Sequence, residues 1–327
     1  MDNGVKSGET AGRIALVDVM RGVALVAMAV YHFTWDLEFF SYVEPGLTSH
    51  GGWRLFARAI ASSFLFLAGF SMFLAHGRVL RARAFLRRLL QVAGAAAAIT
   101  AATRVAFPEA FIYFGILHQI AFASVTGLLF LRAPWWVTAV AALAVLAVPQ
   151  FAALASFDSR WLAWTGLAEN VPRSNDFVPV FPWTGAFLAG LSLAQATLTE
   201  AMRARLAAFS LPAASRPLAF AGRHSLLVYL VHQPLLIGLV WTASQLVPAK
   251  AALPETRYLA ACAGSCGEVR DEKFCGLYCA CTLDALVDEK RLEAMFSEER
   301  DAATTEAMAR IAESCTHDTD KALEATG

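Results

Sequence analysis

Apolar residues along this chain gather into blocks of roughly twenty, the length a helix needs to cross a hydrocarbon layer of about 30 Å. Seven such blocks fall near 14–34, 57–76, 89–107, 111–131, 134–155, 178–197 and 219–247. Pro149 and Pro182 lie inside the fifth and sixth, where packed neighbours can satisfy the freed carbonyls. The seventh is long and is expected to tilt or break at Pro234. Gly and Ala are frequent, as in Gly94-Ala-Ala-Ala-Ala, which suits close helix–helix packing. The predicted fold class is all-α: a polytopic transmembrane helix bundle of about seven spans plus a small Cys-rich helical C-terminal tail. The predicted divisions are a cytoplasmic N-terminal segment 1–12, a transmembrane domain 13–249 and an extracytoplasmic tail 250–327.

Composition agrees with the pattern. Of 327 residues, 57% are hydrophobic and 17% charged, against about 45–50% and about 25% in soluble domains. The formal net charge is zero, so nothing suggests a nucleic-acid partner; where the charges lie is more informative. The connection after the second block carries Arg78, Arg81, Arg83, Arg87 and Arg88, and the one after the sixth carries Arg203, Arg205 and Arg216. Loops 35–56 and 156–177 carry fewer arginines alongside Asp36, Glu38, Glu44, Asp158, Glu169 and Asp176. The positive-inside rule therefore predicts a cytoplasmic N-terminus and, with seven spans, an external C-terminus. The first twelve residues lack a basic n-region with a short h-region, so the first block is expected to be a retained span.

The first block is where candidate chemistry concentrates. Asp18 precedes Arg21 by three positions, within pairing distance on a helix. His32 follows Arg21 by eleven, which at about 100° per residue returns it to within roughly 20° of the same face, about 16 Å further along. Ionisable groups at membrane depth are costly and normally face a protein or water-filled interior. By the predicted topology His32, His50, His118, Asp36 and Asp176 gather toward the outer side, where a neutral imidazole can act as general base. Arg21, the 78–88 cluster and Arg223 gather toward the inner side, where guanidinium groups match phosphate with paired donors. The segment Asn175 to Trp183, with Pro179 and Pro182, reads as a constrained return into the bilayer or as an interfacial aromatic belt.

All six cysteines fall in the tail. Cys262/Cys266 and Cys275/Cys279 are each spaced i,i+4, so each pair presents two sulfurs on one helix face. Confinement to the predicted outer side favours disulfides. Two antiparallel helices would allow Cys262–Cys279 and Cys266–Cys275, leaving Cys281–Cys315, one of fifteen connectivities. A zinc site at Cys262, Cys266, Cys275 and Cys279, with a further Cys and His317 in reserve, is the competing reading.

Several motifs resemble one family. Asp18-x-x-Arg21-Gly22 opens the resemblance, and His50-Gly-Gly-Trp53 leading into Ser-Phe-Leu-Phe-Leu-Ala-Gly69 continues it. It includes Phe114-Gly115-Ile116-Leu117-His118, and Asp176-Phe177-Val178-Pro179 with Phe181-Pro182-Trp183. Its most specific part is Gly222-Arg-His-Ser225-Leu-Leu-Val-Tyr229-Leu-Val-His232-Gln233-Pro234. Together, over roughly residues 12–247, these are similar to the heparan-α-glucosaminide N-acetyltransferase catalytic domain and its bacterial relatives, within the wider transmembrane acyltransferase superfamily. The resemblance implies an acetyltransferase in a bacterial-type plasma membrane, surrounded by lipid; a homo-oligomer is among the states that the sequence leaves open. It implies acetyl-CoA as donor, no metal, and a carbohydrate or glycolipid acceptor on the far side. Arg21, Asp18, Arg88 and Arg223 would hold the donor. His50 matches the family's acetyl-handling histidine; His32 stands where the lysosomal member has Asn, so the role falls to either. His118 and Asp36 would support that histidine, and Asp176, Trp53 and His232 the acceptor. Two rivals from other classes are a proton-coupled transporter using the same groups as a relay, and a membrane-anchored redox sensor acting through the cysteine tail.

Overall fold

A computed structural model of the chain describes residues 14–248, 254–267, 269–296 and 302–326. The predicted N-terminal segment 1–12 lies outside the described residues, as do 249–253, where the predicted transmembrane domain meets the tail. Among the described residues the chain is all-helical, with two isolated β-bridges and no strand. The apolar blocks become α1 (Ala15–Phe39), α2 (Gly51–His76), α3 (Ala82–Ala106), α4 (Ile116–Phe130) and α5 (Trp135–Ala147). A short α6 (Arg160–Ala163) sits in the next connection, followed by α7 (Val180–Thr197) and α8 (Glu200–Ala208). Then come α9 (Arg216–Arg223) and α10 (Ser225–Leu246). Helices α1, α2, α3 and α10 are long and apolar enough to cross a membrane, while α4 and α5 are shorter apolar helices.

Three interruptions fall inside the predicted apolar blocks. Residues 111–115 precede α4 as irregular chain instead of opening it. The helix after Trp135 gives way to a 3-10 turn over Val148–Gln150, with Pro149 in that turn. The block 219–247 is two helices, separated where His224 leaves helical geometry at φ −103° and ψ 28°.

The chain divides into two compact units, Met1–Ala29 with Phe56–Gln233, and Val30–Leu55 with Pro234–Gly327. In the first, α7 is the most deeply buried helix: Phe187 and Leu191 are wholly covered, packed with Leu65 and Met72 of α2, Ala123 of α4 and Ala142 of α5. Close approach of backbones makes this packing possible. A Cβ on Gly69 would lie 2.9 Å from the Phe187 carbonyl carbon, and one on Gly190 2.7 Å from that of Phe66, so only glycine fits at the α2–α7 crossing. Leu117 of α4 packs with Val92, Ala95 and Ala96 of α3 and is joined by Leu226, Tyr229 and Leu230 of α10.

In the second unit the tail forms α11 (Pro254–Cys266), α12 (Glu272–Asp288) and α13 (Ala302–Thr326). Disulfides join Cys262–Cys279 and Cys266–Cys275 across α11 and α12, and Cys281–Cys315 ties α12 to α13. Sulfurs paired covalently are not thiolate ligands, so the competing zinc site at Cys262, Cys266, Cys275 and Cys279 is not formed in this state. Leu286, Leu292, Ile311 and Cys315 give these helices a small core of their own.

Candidate functional site

Helix α1 has two distinct faces. Met20, Val23, Val26, Val30 and Phe33 form an exposed apolar stripe of the kind that meets lipid. Asp18, Gly22, Leu25, Met28 and Asp36 are buried, and Arg21 and His32 are half-buried beside them. The ionisable groups therefore turn away from the stripe.

At the N-terminal end of α1, the Arg21 guanidinium lies 3.4 Å from the Asp18 carboxylate and donates to the Ser71 hydroxyl at 2.6 Å. Asp18 is only 2% exposed, so burial of its charge is offset by this pairing. The local backbone explains the spacing of the motif. A Cβ on Gly222 would overlap the Asp18 carbonyl oxygen, and one on Gly22 would lie 2.7 Å from the Leu218 carbonyl carbon. Helices α1 and α9 thus cross at a pair of glycines beside the ion pair. Arg223, next to that crossing, is exposed, as is Arg88. Two other arginines are already engaged: Arg78 pairs with Glu200, and Arg203 donates to the Leu74 carbonyl.

In the other unit, His50 stands at the end of an ordered loop. Glu38, in the last turn of α1, accepts from the Gly46 N–H at 2.6 Å through one carboxylate oxygen. Its other oxygen accepts from the Thr48 N–H at 2.9 Å and the Thr48 hydroxyl at 2.7 Å. Gly46 turns the chain at φ +83°, a left-handed value open to glycine at little cost. Its carbonyl is 2.8 Å from His50 Nδ1. A carbonyl can only accept, so Nδ1 carries the proton, and the neutral ring presents its lone pair on Nε2. His50 is exposed, and Gly264 of α11 lies against it: a Cβ there would come within 3.0 Å of Cε1 and 3.3 Å of Nε2. The same unit holds His32, whose ring meets Tyr31 edge-on at 5.7 Å, Trp53, 6.4 Å from Tyr31, and the fully buried Asp36.

His118, Asp176 and His232 belong to the first unit. His118 Nδ1 accepts from the Gly115 N–H at 3.2 Å, while Nε2 lies 3.2 Å from the Thr100 hydroxyl. That hydroxyl gives its one proton to the Ile112 carbonyl at 2.7 Å, so it accepts from Nε2–H. Both nitrogens of His118 are committed, and no lone pair is left for an incoming proton. Asp176 accepts from the Ile116 N–H at 2.9 Å, capping the first turn of α4 from a distant loop. Loss of hydration pushes its carboxyl up to about 6 despite that bond. Tyr229 of α10 lies within electrostatic reach of it. The chain around Asp176 is held extended: Val178 N–H donates to the Phe114 carbonyl at 3.0 Å, and Phe181 N–H to the Thr165 carbonyl at 2.8 Å. His232 Nδ1 is 2.6 Å from the Tyr229 carbonyl one turn earlier. Among the described residues no three His, Cys, Asp or Glu side chains converge as a metal site.

Four residues that organise these groups carry no sequence signal of their own: Ser71, Thr100, Glu38 and Gly264. Ser71, Thr100 and Gly264 act on partners from distant segments, and Glu38 on groups 8 and 10 residues on, so neither helical spacing nor periodicity marks them.

The curated proteins and the solved structures provide no match. The sequence model of the heparan-alpha-glucosaminide N-acetyltransferase catalytic family matches residues 13–234, which contain Asp18, Arg21, His50, His118, Asp176 and His232. A match over more than half of the 327 residues means that this chain belongs to the heparan-alpha-glucosaminide N-acetyltransferase catalytic family.

Proposed function

We propose that this chain is an integral-membrane acetyltransferase. It moves an acetyl group from acetyl-CoA, bound at the cytoplasmic side, to an amine or hydroxyl of a sugar or glycolipid on the opposite side. The arginine-rich connections 78–88 and 198–216 support that orientation. Arg21, braced by Asp18 and Ser71, is the group for the donor's phosphates, with the exposed Arg88 and Arg223 as further cations. The observation that carries the chemistry is His50, exposed and tied through Nδ1 to a carbonyl, so that Nε2 is the basic nitrogen.

In the reaction, the acceptor nitrogen or oxygen attacks the thioester carbonyl and gives its proton to His50 Nε2. The tetrahedral intermediate collapses with cleavage of the C–S bond. The thiolate leaves and takes the proton back from the imidazolium, giving acetylated acceptor, CoA thiol and neutral His50. His32 and Asp36, on α1, and Trp53, at the start of α2, accompany His50.

The test is purified protein in lipid nanodiscs with radiolabelled acetyl-CoA and an amino-sugar acceptor, following CoA release and labelled product. Turnover is expected, with His50→Ala reducing it by about 100-fold or more and Arg21→Ala raising KM for acetyl-CoA. Absence of CoA release, or wild-type turnover in both His50→Ala and His32→Ala, removes the proposal.

A further inference from the structure

The proposed activity needs one particular nitrogen of His50 to be free, and the loop that precedes it supplies a reason why it is. We propose that Glu38 is a positioning residue that fixes the tautomer of His50 by building the turn whose carbonyl holds Nδ1. This rests on the reading of His50 as the base, but it makes a claim of its own about Glu38 that is measured separately.

The physical chain has three links. First, the Glu38 carboxylate accepts three hydrogen bonds, from the Gly46 N–H, the Thr48 N–H and the Thr48 hydroxyl, at 2.6, 2.9 and 2.7 Å. Hydrogen bonds to a charged acceptor are stronger than neutral ones, and with the Tyr31 hydroxyl, which donates to the Thr48 carbonyl at 3.4 Å, these three close residues 46–48 onto α1. Thr48 is buried, whereas the neighbouring Leu47 and Ser49 are exposed, so the loop is organised around that carboxylate. Second, the closure helps set the direction of the Gly46 carbonyl: Glu38 holds the Gly46 N–H, Gly46 takes φ +83° and ψ −3°, and the Ser49 N–H donates to the same carbonyl at 3.0 Å. Third, that carbonyl meets His50 Nδ1 at 2.8 Å. As an obligate acceptor it requires Nδ1–H in both the neutral and the protonated ring, so titration and catalysis fall to Nε2. A histidine held in the wrong tautomer loses most of its capacity as a base. Gly46 and Gly264 both lie against the imidazole, and neither has a side chain to intrude on it.

Glu38 touches neither donor nor acceptor in this scheme; it acts through Gly46 on His50. A residue that only stiffened the loop would alter stability without altering which nitrogen carries the proton. The discriminating readout is therefore the 15N resonance pair of His50 in ring-labelled protein, assigned by subtracting the spectrum of His50→Gln. In the wild type, at a pH where the ring is neutral, we expect Nδ1 to give the protonated, pyrrole-type signal and Nε2 the unprotonated one. In Glu38→Ala the signals should move toward a mixture of the two forms, kcat should fall at least 10-fold, and KM for acetyl-CoA should stay within 2-fold. Glu38→Gln, which keeps one oxygen acceptor, should lie between. Thr48→Val, which removes one of the three bonds, should reduce kcat by 2- to 5-fold and guards against loss of the whole loop in Glu38→Ala.

An unchanged Nδ1–H signature in both Glu38→Ala and Glu38→Gln overturns the proposal, whatever kcat does. A loss of kcat with a raised melting-point difference and no tautomer change assigns Glu38 to stability alone and overturns it equally. If His50→Gln retains full turnover, the catalytic reading of His50 fails; the tautomer spectra still decide whether Glu38 sets the ring.

Discussion

The glycine crossing beside Asp18 allows a quantitative test of the packing that supports the Asp18–Arg21 pair on α1. Replacing Gly222 by Ala places a Cβ 2.8 Å from the Asp18 carbonyl carbon and 2.9 Å from the Gly22 nitrogen, besides overlapping the Asp18 oxygen. Ordinary contacts between carbon atoms lie at about 3.5–4.0 Å, so α1 and α9 must separate by at least about 0.7–1.2 Å at this point. A gap of that size forfeits about a quarter to a half of each neighbouring contact's attraction. Overpacking of a tight site costs about 1–3 kcal/mol, and the upper part applies here because backbone lies on both sides and no rotamer can give way. We expect Gly222→Ala to lose about 2–3 kcal/mol. At about 2–4 °C per kcal/mol this is a fall of roughly 4–12 °C in melting temperature, accompanied by weaker acetyl-CoA binding. The control is Gly94→Ala on α3, where the added Cβ meets nothing within 4 Å. It should be neutral or stabilise by up to about 1 kcal/mol, the difference in helix propensity between the two residues. Tryptophan fluorescence melts of both variants in one detergent make the comparison. Equal melting temperatures, or Gly94→Ala falling further than Gly222→Ala, would refute the close-crossing argument.

Other consequences are open to measurement. Because the Asp176 carboxyl is pushed up to about 6, the folded state holds its proton to higher pH than the unfolded chain does. This group's contribution to stability is therefore greatest below about pH 4 and is lost as pH rises toward 6, on the order of 2–3 kcal/mol. Asp176→Asn, which retains an oxygen for the Ile116 N–H, should flatten that dependence in melts between pH 4 and 7; an unchanged slope counts against it. In the tail, Cys281–Cys315 spans 34 residues and Cys266–Cys275 spans 9. Loop entropy predicts costs of about 3.8 and about 2.6 kcal/mol for their loss, so the paired Ser variants should melt in that order. Gly264→Leu should crowd His50 and reduce kcat by 10-fold or more while the tail keeps all three disulfides, measured by mass under non-reducing conditions; undiminished kcat would separate the tail from His50.

Much of the helical frame was legible in the apolar blocks, because a span must satisfy its own backbone and therefore writes its length into composition. The 3.6-residue period also anticipated that Arg21 and His32 share a face of α1, and the exposed stripe from Met20 to Phe33 lies away from them. What hydropathy could not supply were the interruptions. His224 ends α9 inside an apolar run, and residues 111–115 stay irregular while Asp176, 60 residues later, caps the helix that follows. The chemistry divides in the same way. A charged or imidazole group in an apolar setting is visible from sequence because it is costly there, but the group that relieves the cost is often a backbone carbonyl or N–H. Gly46 holds His50, Gly115 and Thr100 hold His118, and Tyr229 holds His232, each through atoms that any residue or any hydroxyl could contribute. Two histidines that look alike in the sequence consequently differ in what they can do. His118 has both nitrogens spent on positioning α4 against α3, whereas His50 has one nitrogen spent and one left over. That difference separates a ring that keeps a lone pair from one that does not, and it resides in the loop geometry around Gly46.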